Sequence, residues 1–181
     1  MSAEAASASD ASLLQLLSDL AAGRSLFAGE RAQLLRLTAA APGWEISSYR
    51  LEARLEARSQ QFQAIYPSLQ HFCMQTLGWT TCPVELLWQL WLPLAMQLQT
   101  WQHALHRPLI QGILGGQGTG KTTLAAILTH ILNFWGLQVC QLSIDDLYKP
   151  YSDRLLLQQA DPRFRWRGPP GTHDVGLGRS V

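Results

Sequence analysis

The apolar positions of the first hundred residues recur at helical spacing. Leu13, Leu14, Leu16, Leu17 and Leu20 fall on one face of a helix, and Gly23 stands where such a helix would end. Residues 29–40 predict a second, shorter helix, closed by the Ala-Pro-Gly at 41–43. Over residues 50–62 the stretch RLEARLEARSQQF repeats Arg-Leu-Glu-Ala with a period near one turn. Glu52 and Glu56 interleave with its arginines, so it reads as a solvated helix face and not as a basic stripe for nucleic acid. Pro83, Val84 and Glu85 make a helix start. LLWQLWLPLAM, residues 86–96, continues it as a buried helix with a kink expected near Pro93. That run is too short to cross a bilayer, which takes about 20 apolar residues. Trp79, Trp88, Trp91 and Trp101 lie among Leu and Met without basic partners, which favours core packing over a base-stacking platform.

The pattern changes at His106-Arg107-Pro108. LIQGIL, residues 109–114, is a short apolar run opening into glycines, and predicts a strand. KTTLAAILTHILNFWG follows, with Leu124, Ile127, Leu128, Ile131, Leu132 and Trp135 on one helix face and Gly136 closing it. LQVCQLSI, residues 137–144, predicts a second strand. Strand, helix, strand is a βαβ unit, which implies an α/β fold with a parallel sheet. The expected organisation is a flexible Ala/Ser tail over 1–12, a helical region over 13–105, and the first part of an α/β domain over 106–181.

Composition narrows the function classes. The 181 residues are 47% hydrophobic and 15% charged, so a core can form, and the formal charge of +1 gives no general pull toward nucleic acid or anionic lipid. A polyanion must be held by a local site. Cys73, Cys82 and Cys140 lack metal-ligand spacing and read as reduced thiols of a cytoplasmic protein. MSAEAASASDAS has neither the basic start nor the apolar run of a secretory signal, and it is free of the arginines of a transit peptide.

The candidate chemistry sits between the first expected strand and its helix. GGQGTGKT matches G-x-x-x-x-G-K-[ST]. Phosphates need several backbone N–H groups aimed at one place, and Gly115, Gly116, Gly118 and Gly120 let the chain wrap that closely. Gln117, Thr119 and Thr123 complete the binding segment. The helix beginning near Lys121 points its positive end at an anion. The Lys121 ammonium suits the terminal phosphates of ATP, and the Thr122 hydroxyl suits Mg²⁺. SIDDLY, residues 143–148, ends the second expected strand. There Asp145 is placed to deprotonate an attacking hydroxyl, with a share in binding Mg²⁺. Asp146 has two readings of equal weight, a functional carboxylate or a turn cap. Ser152 and Asp153 begin a helix. Arg163, Arg165 and Arg167 alternate beyond it, as a clamp for an acid or phosphate if that segment is extended, or as solvated loop arginines.

GGQGTGKTTL, LSIDDLY and RGPPGTHDVGLG, in this order and spacing, resemble the D-glycerate 3-kinases of plants, fungi and cyanobacteria. These belong to the kinases with a phosphate-binding loop that include uridine kinase, phosphoribulokinase and bacterial pantothenate kinase. The resemblance covers roughly residues 85–181. It implies ATP- and Mg²⁺-dependent phosphorylation of the 3-hydroxyl of D-glycerate, the step that closes photorespiratory carbon salvage. By motif, Lys121 and Asp145 carry the chemistry, and Asp146, Tyr148, Arg167, His173 and Asp174 approach the acceptor. Family members continue well past the Thr-His-Asp segment. The chain therefore reads as the N-terminal part of a kinase, and residues 1–181 alone are expected to phosphorylate D-glycerate poorly. The competing readings are a nucleotide-binding module without transfer activity and a kinase for another small metabolite. The missing Asp-x-x-Gly and Asn-Lys-x-Asp segments argue against a GTPase. Neither membrane nor nucleic acid is an expected partner, and oligomeric state is not legible.

Overall fold

The computed structural model describes residues 2–39, 48–166 and 170–176. Its helices are α1 (Ser2–Ala21), α2 (Ala28–Ala39), α3 (Ser48–Gln75), α4 (Val84–Leu86), α5 (Leu92–Leu105), α6 (Lys121–Phe134) and α7 (Tyr151–Ala160). A π turn over Leu87–Trp91 joins α4 to α5. Contacts divide the chain into two units, Met1–Val139 and Cys140–Val181. The change in sequence pattern at 106 is thus not where the contacts divide. Helix α1 also starts at Ser2, inside the Ala/Ser stretch read as a flexible tail.

The core of the first unit is where the helical periodicity put it. Leu13, Leu16, Leu17 and Leu20 of α1 are buried, while Leu14 is left 44% exposed, because five apolar residues in eight span more of the helix than one partner covers. Gly23 closes α1 at φ +81, a left-handed conformation that glycine alone adopts cheaply. Helix α3 keeps Pro67 in its interior, where the missing N–H costs a helix bond. Burial of Phe62, Ile65, Leu69 and Cys73 along one face offsets that loss.

The kink foreseen near Pro93 takes a particular form. Pro93 has no N–H to give the carbonyl four residues back, and the preceding turn widens. Leu92 N–H bonds the Leu87 carbonyl, five residues back. The extra residue brings Trp88, Trp91, Leu92, Ala95 and Leu98 into the core together. Of the four tryptophans, Trp88 and Trp91 are buried and Trp79 packs half-buried against them, while Trp101 stays 46% exposed. One arginine departs from the solvated face expected of α3: the Arg58 guanidinium lies 5.2 Å over the Trp88 ring. Burial, and secondarily Arg54, lower its pKa to about 10.

Helix α6 packs on α3 and α5 through Ile127, Leu128, Ile131 and Leu132, with Leu124 and Trp135 at the margin. Its end is closed by Gly136 at φ +81, with Leu137 N–H on the Leu132 carbonyl at 3.0 Å and Gly136 N–H on Asn133 at 2.9 Å. His130 stacks on Phe72 at 4.6 Å and its Nε2 lies 2.9 Å from Ser68 Oγ. Burial pushes this histidine below its ordinary value, and the hydrogen bonding with Ser68 opposes the shift. The unfolded chain therefore takes the proton first as pH falls. Stability contributed by neutral His130 is present above the ordinary value of 6.5 and is lost below it. His130→Gln is expected to lose less stability than wild type between about pH 7 and about pH 5.5 in urea unfolding. Equal losses would mean that the histidine is solvated in the folded state.

The α/β expectation is overturned. Among the described residues there is no strand and no sheet, and the regular structure is helical. Residues 109–114 and 137–143 carry no regular structure. A strand exists only when a neighbour takes its N–H and C=O groups, and apolar runs specify a wish for burial without specifying that neighbour. Leu109, Ile113, Leu137 and Val139 lie against the helical core, whereas Ile110 and Leu114 are 93% and 98% exposed. No helix among the described residues is long and apolar enough to cross a membrane.

Candidate functional site

The glycine-rich segment forms a tight loop that delivers Lys121 to the start of α6. Gly118 and Gly120 sit at φ +76 and +80, so both turn in the left-handed region. Gly120 is also the residue from which the helix begins: Leu124 N–H bonds its carbonyl at 2.8 Å, and no side chain caps the first turn. That leaves the leading amides of a 14-residue helix uncapped by protein side chains, the arrangement that attracts an anion. The Gly116 carbonyl is held twice. Thr119 Oγ1 donates to it at 2.9 Å and Lys121 Nζ donates to it at 2.6 Å. A Cβ on Gly115 would stand 2.8 Å from Thr119 Oγ1, which explains glycine there by space and not by φ. Gln117 and Thr122 are exposed, and Thr123 is half-buried. The brace from Thr119 and the resting place of Lys121 on Gly116 were not legible beforehand; they depend on how the loop closes.

The second unit is built differently. Ser143 caps a 3-10 turn, Ile144–Leu147, accepting from Asp145 N–H at 3.2 Å while Ser143 N–H donates to Asp146 Oδ2 at 2.8 Å. The Asp146 carboxylate thus closes a capping box. The Asp145 carboxylate is exposed. The chain returns over residues 172–174: Lys149 N–H bonds the Thr172 carbonyl at 2.9 Å and Asp174 N–H bonds the Leu147 carbonyl at 2.7 Å. These contacts align Tyr148 with His173 as an isolated antiparallel bridge, with rings stacked 4.1 Å apart. Thr172 is buried at 1%, and His173 Nε2 is enclosed without a hydrogen-bond partner. Tyr148, His173 and Asp174 are thus brought together.

The arginine series is not. Residues 162–165 form a 3-10 turn instead of an extended segment, so alternation no longer sends its arginines to one side. Arg163 pairs with Asp161, its Nε and Nη2 donating at 2.9 and 2.6 Å. Arg165 lies 5.7 Å over the Trp166 ring. Arg167 lies outside the described residues. No group of three or more His, Cys, Asp or Glu among the described residues forms a metal cage.

Comparison with known proteins gives a kinase as the kind of relative. The chain is 40% identical over 72 residues to the uncharacterized kinase mug58 of Schizosaccharomyces pombe, a match taking in 38% of this chain and 26% of that protein. The chain thus spans about a quarter of the length of the curated relative it matches. No family model matches, and no solved structure matches.

Proposed function

We propose that this protein serves an ATP-dependent small-molecule kinase whose acceptor is a small hydroxy acid, D-glycerate, giving 3-phosphoglycerate. The observation that carries the proposal is the loop: uncapped helix amides and a lysine ammonium meet glycine backbone at one point. Glycine at 115 lets the loop close, since a Cβ there would stand 2.8 Å from Thr119 Oγ1. The reading stands on this local geometry and does not invoke a sheet. The kinase match supports the reaction class, and the resemblance of LSIDDLY and RGPPGTHD supports the acceptor.

Bound ATP supplies the phosphoryl group. Residues 115–123 hold its phosphates through backbone N–H groups, and Lys121 exchanges the Gly116 carbonyl for a phosphate oxygen. The Thr122 hydroxyl is suited to Mg²⁺. Asp145, exposed and outside the cap made by Asp146, would take the proton of the acceptor hydroxyl. Tyr148, His173 and Asp174 would orient the acceptor. A second reading, ATP binding without transfer, draws on the second unit. Among its described residues no hydrophobic side chain is fully buried, a weak scaffold for orienting an acceptor.

Lys121→Ala tests the phosphate site. A charge-assisted contact of this type contributes about 1.5–3 kcal/mol, so ATP affinity by calorimetry should fall by about tenfold or more. Unchanged affinity in a folded variant would remove the phosphate-binding role. Formation of 3-phosphoglycerate from ATP and D-glycerate separates the kinase from the binding module.

A further inference from the structure

The loop before α6 hangs on one carbonyl. Thr119 Oγ1 and Lys121 Nζ both donate to the Gly116 oxygen, at 2.9 and 2.6 Å. The ammonium is the stronger donor, yet it is also the group that an anionic ligand draws away. The Thr119 hydroxyl carries no charge, so an anion has less hold on it. Thr119 stands between Gly118 at φ +76 and Gly120 at φ +80, a bend whose glycines have no side chains to fix it. Its hydroxyl ties that bend to a residue three positions back. Gly115 meets the same hydroxyl. A Cβ there would stand 2.8 Å from Thr119 Oγ1, while the next nearest atoms, on the Lys121 side chain, lie at 3.6 Å, an ordinary contact. A side chain at 115 is therefore excluded by one atom, the oxygen of Thr119.

We propose that Thr119 is a positioning residue of the phosphate loop: its hydroxyl holds the Gly116 carbonyl when Lys121 leaves for a phosphate, and so sets how tightly the polyphosphate of a nucleotide is bound. The inference rests on reading this loop as a phosphate site. In the empty loop the carbonyl has two donors. When Lys121 turns to the ligand, one remains. Without the Thr119 hydroxyl, the departure of Lys121 leaves that carbonyl to water, with its negative end free to lie beside an anion, and the exchange becomes less favourable. The unbraced loop also samples more conformations, which binding must then freeze out, and its glycines make that cost large. Thr119 acts through Gly116 and Lys121, and its side chain has no need to touch the ligand.

The test is calorimetric titration with ATP, and separately with inorganic tripolyphosphate, of wild type, Thr119→Ala, Thr119→Ser, Gly115→Ala, the Gly115→Ala/Thr119→Ala double variant and Lys121→Ala. Thr119→Ala is expected to raise Kd by about three- to tenfold, the range of one net hydrogen bond. Thr119→Ser keeps the hydroxyl and should bind as wild type does. Gly115→Ala should weaken binding by displacing that hydroxyl. In the double variant the methyl at 115 should add little to the loss from Thr119→Ala, because the oxygen that it would strike is gone. The loop is exposed, so Tm should stay near that of wild type throughout, which separates positioning from folding. Both probes should show the same ratios, and a loss with ATP alone overturns the placement at the phosphates. Unchanged Kd in Thr119→Ala, no recovery in Thr119→Ser, or additive losses in the double variant overturn the role of the hydroxyl while Lys121→Ala still weakens binding. If Lys121→Ala binds as wild type does, the phosphate reading falls and this inference falls with it.

Discussion

Trp88→Ala is expected to lower stability by about 3–5 kcal/mol, the cost of deleting a large aromatic side chain from a closed core. Trp88 is 0% exposed. Phe62 meets it edge-on at 5.6 Å, and its Nε1 donates to Thr38 Oγ1 at 3.1 Å. Alanine would leave a cavity among α2, α3 and the π turn, because these elements are held from several sides and cannot collapse onto it. It would also take the ring from beneath Arg58, a contact of about 0.5–2 kcal/mol depending on its desolvation. At 2–4 °C per kcal/mol for a chain of this size, Tm should drop by about 6–20 °C. Trp88→Phe keeps most of the apolar volume and gives up the bond to Thr38, so it should cost clearly less. Chemical denaturation of the three proteins decides the matter. A loss below about 1 kcal/mol for alanine would mean that the helices do not close around this residue.

On the proposed reaction, Asp145→Asn is expected to lower kcat for D-glycerate by about a hundredfold or more, with ATP affinity nearly unchanged. The amide keeps the size and the exposed position at the 3-10 turn but cannot accept the acceptor's proton, and general-base catalysis is worth about 10²–10⁴. Asp146→Asn serves as the control. Its carboxylate accepts from Ser143 N–H, a bond that an amide oxygen can still accept, so its loss should be small. Turnover within a few-fold of wild type for Asp145→Asn would remove it as base, and a large loss for Asp146→Asn alone would exchange the roles.

The helices of the first unit were legible because their signal is local. In α6 the apolar positions 127, 128, 131 and 132 repeat at the spacing of one helix face, and those four are the buried ones. Gly23 and Gly136 marked ends correctly because a left-handed residue is needed there whatever the surroundings. The loop was legible in part. Its glycines and Lys121 were visible as a motif, whereas the double hold on the Gly116 carbonyl was not. Residues 109–114 and 137–143 misled because their apolar, partly β-branched character describes how a backbone prefers to lie, not what will pair with it. Arg163 stayed open between a clamp and a solvated loop position for a related reason: its partner Asp161 is close in sequence, but only the 3-10 turn turns the two together.

By itself, then, the sequence determined what depends on neighbours along the chain: helix faces, helix ends, the break at Pro93, and a glycine-rich segment able to expose backbone amides beside a lysine. The tertiary structure decided what depends on groups far apart. It left the expected strands unpaired, drew Arg58 over Trp88, gave Asp146 to a cap and set Tyr148 against His173. The physical reason is one of range. A helix satisfies its own hydrogen bonds within four residues, so periodicity is sufficient to announce it. A strand and a buried cation each need a partner whose position is fixed only when the rest of the chain has packed.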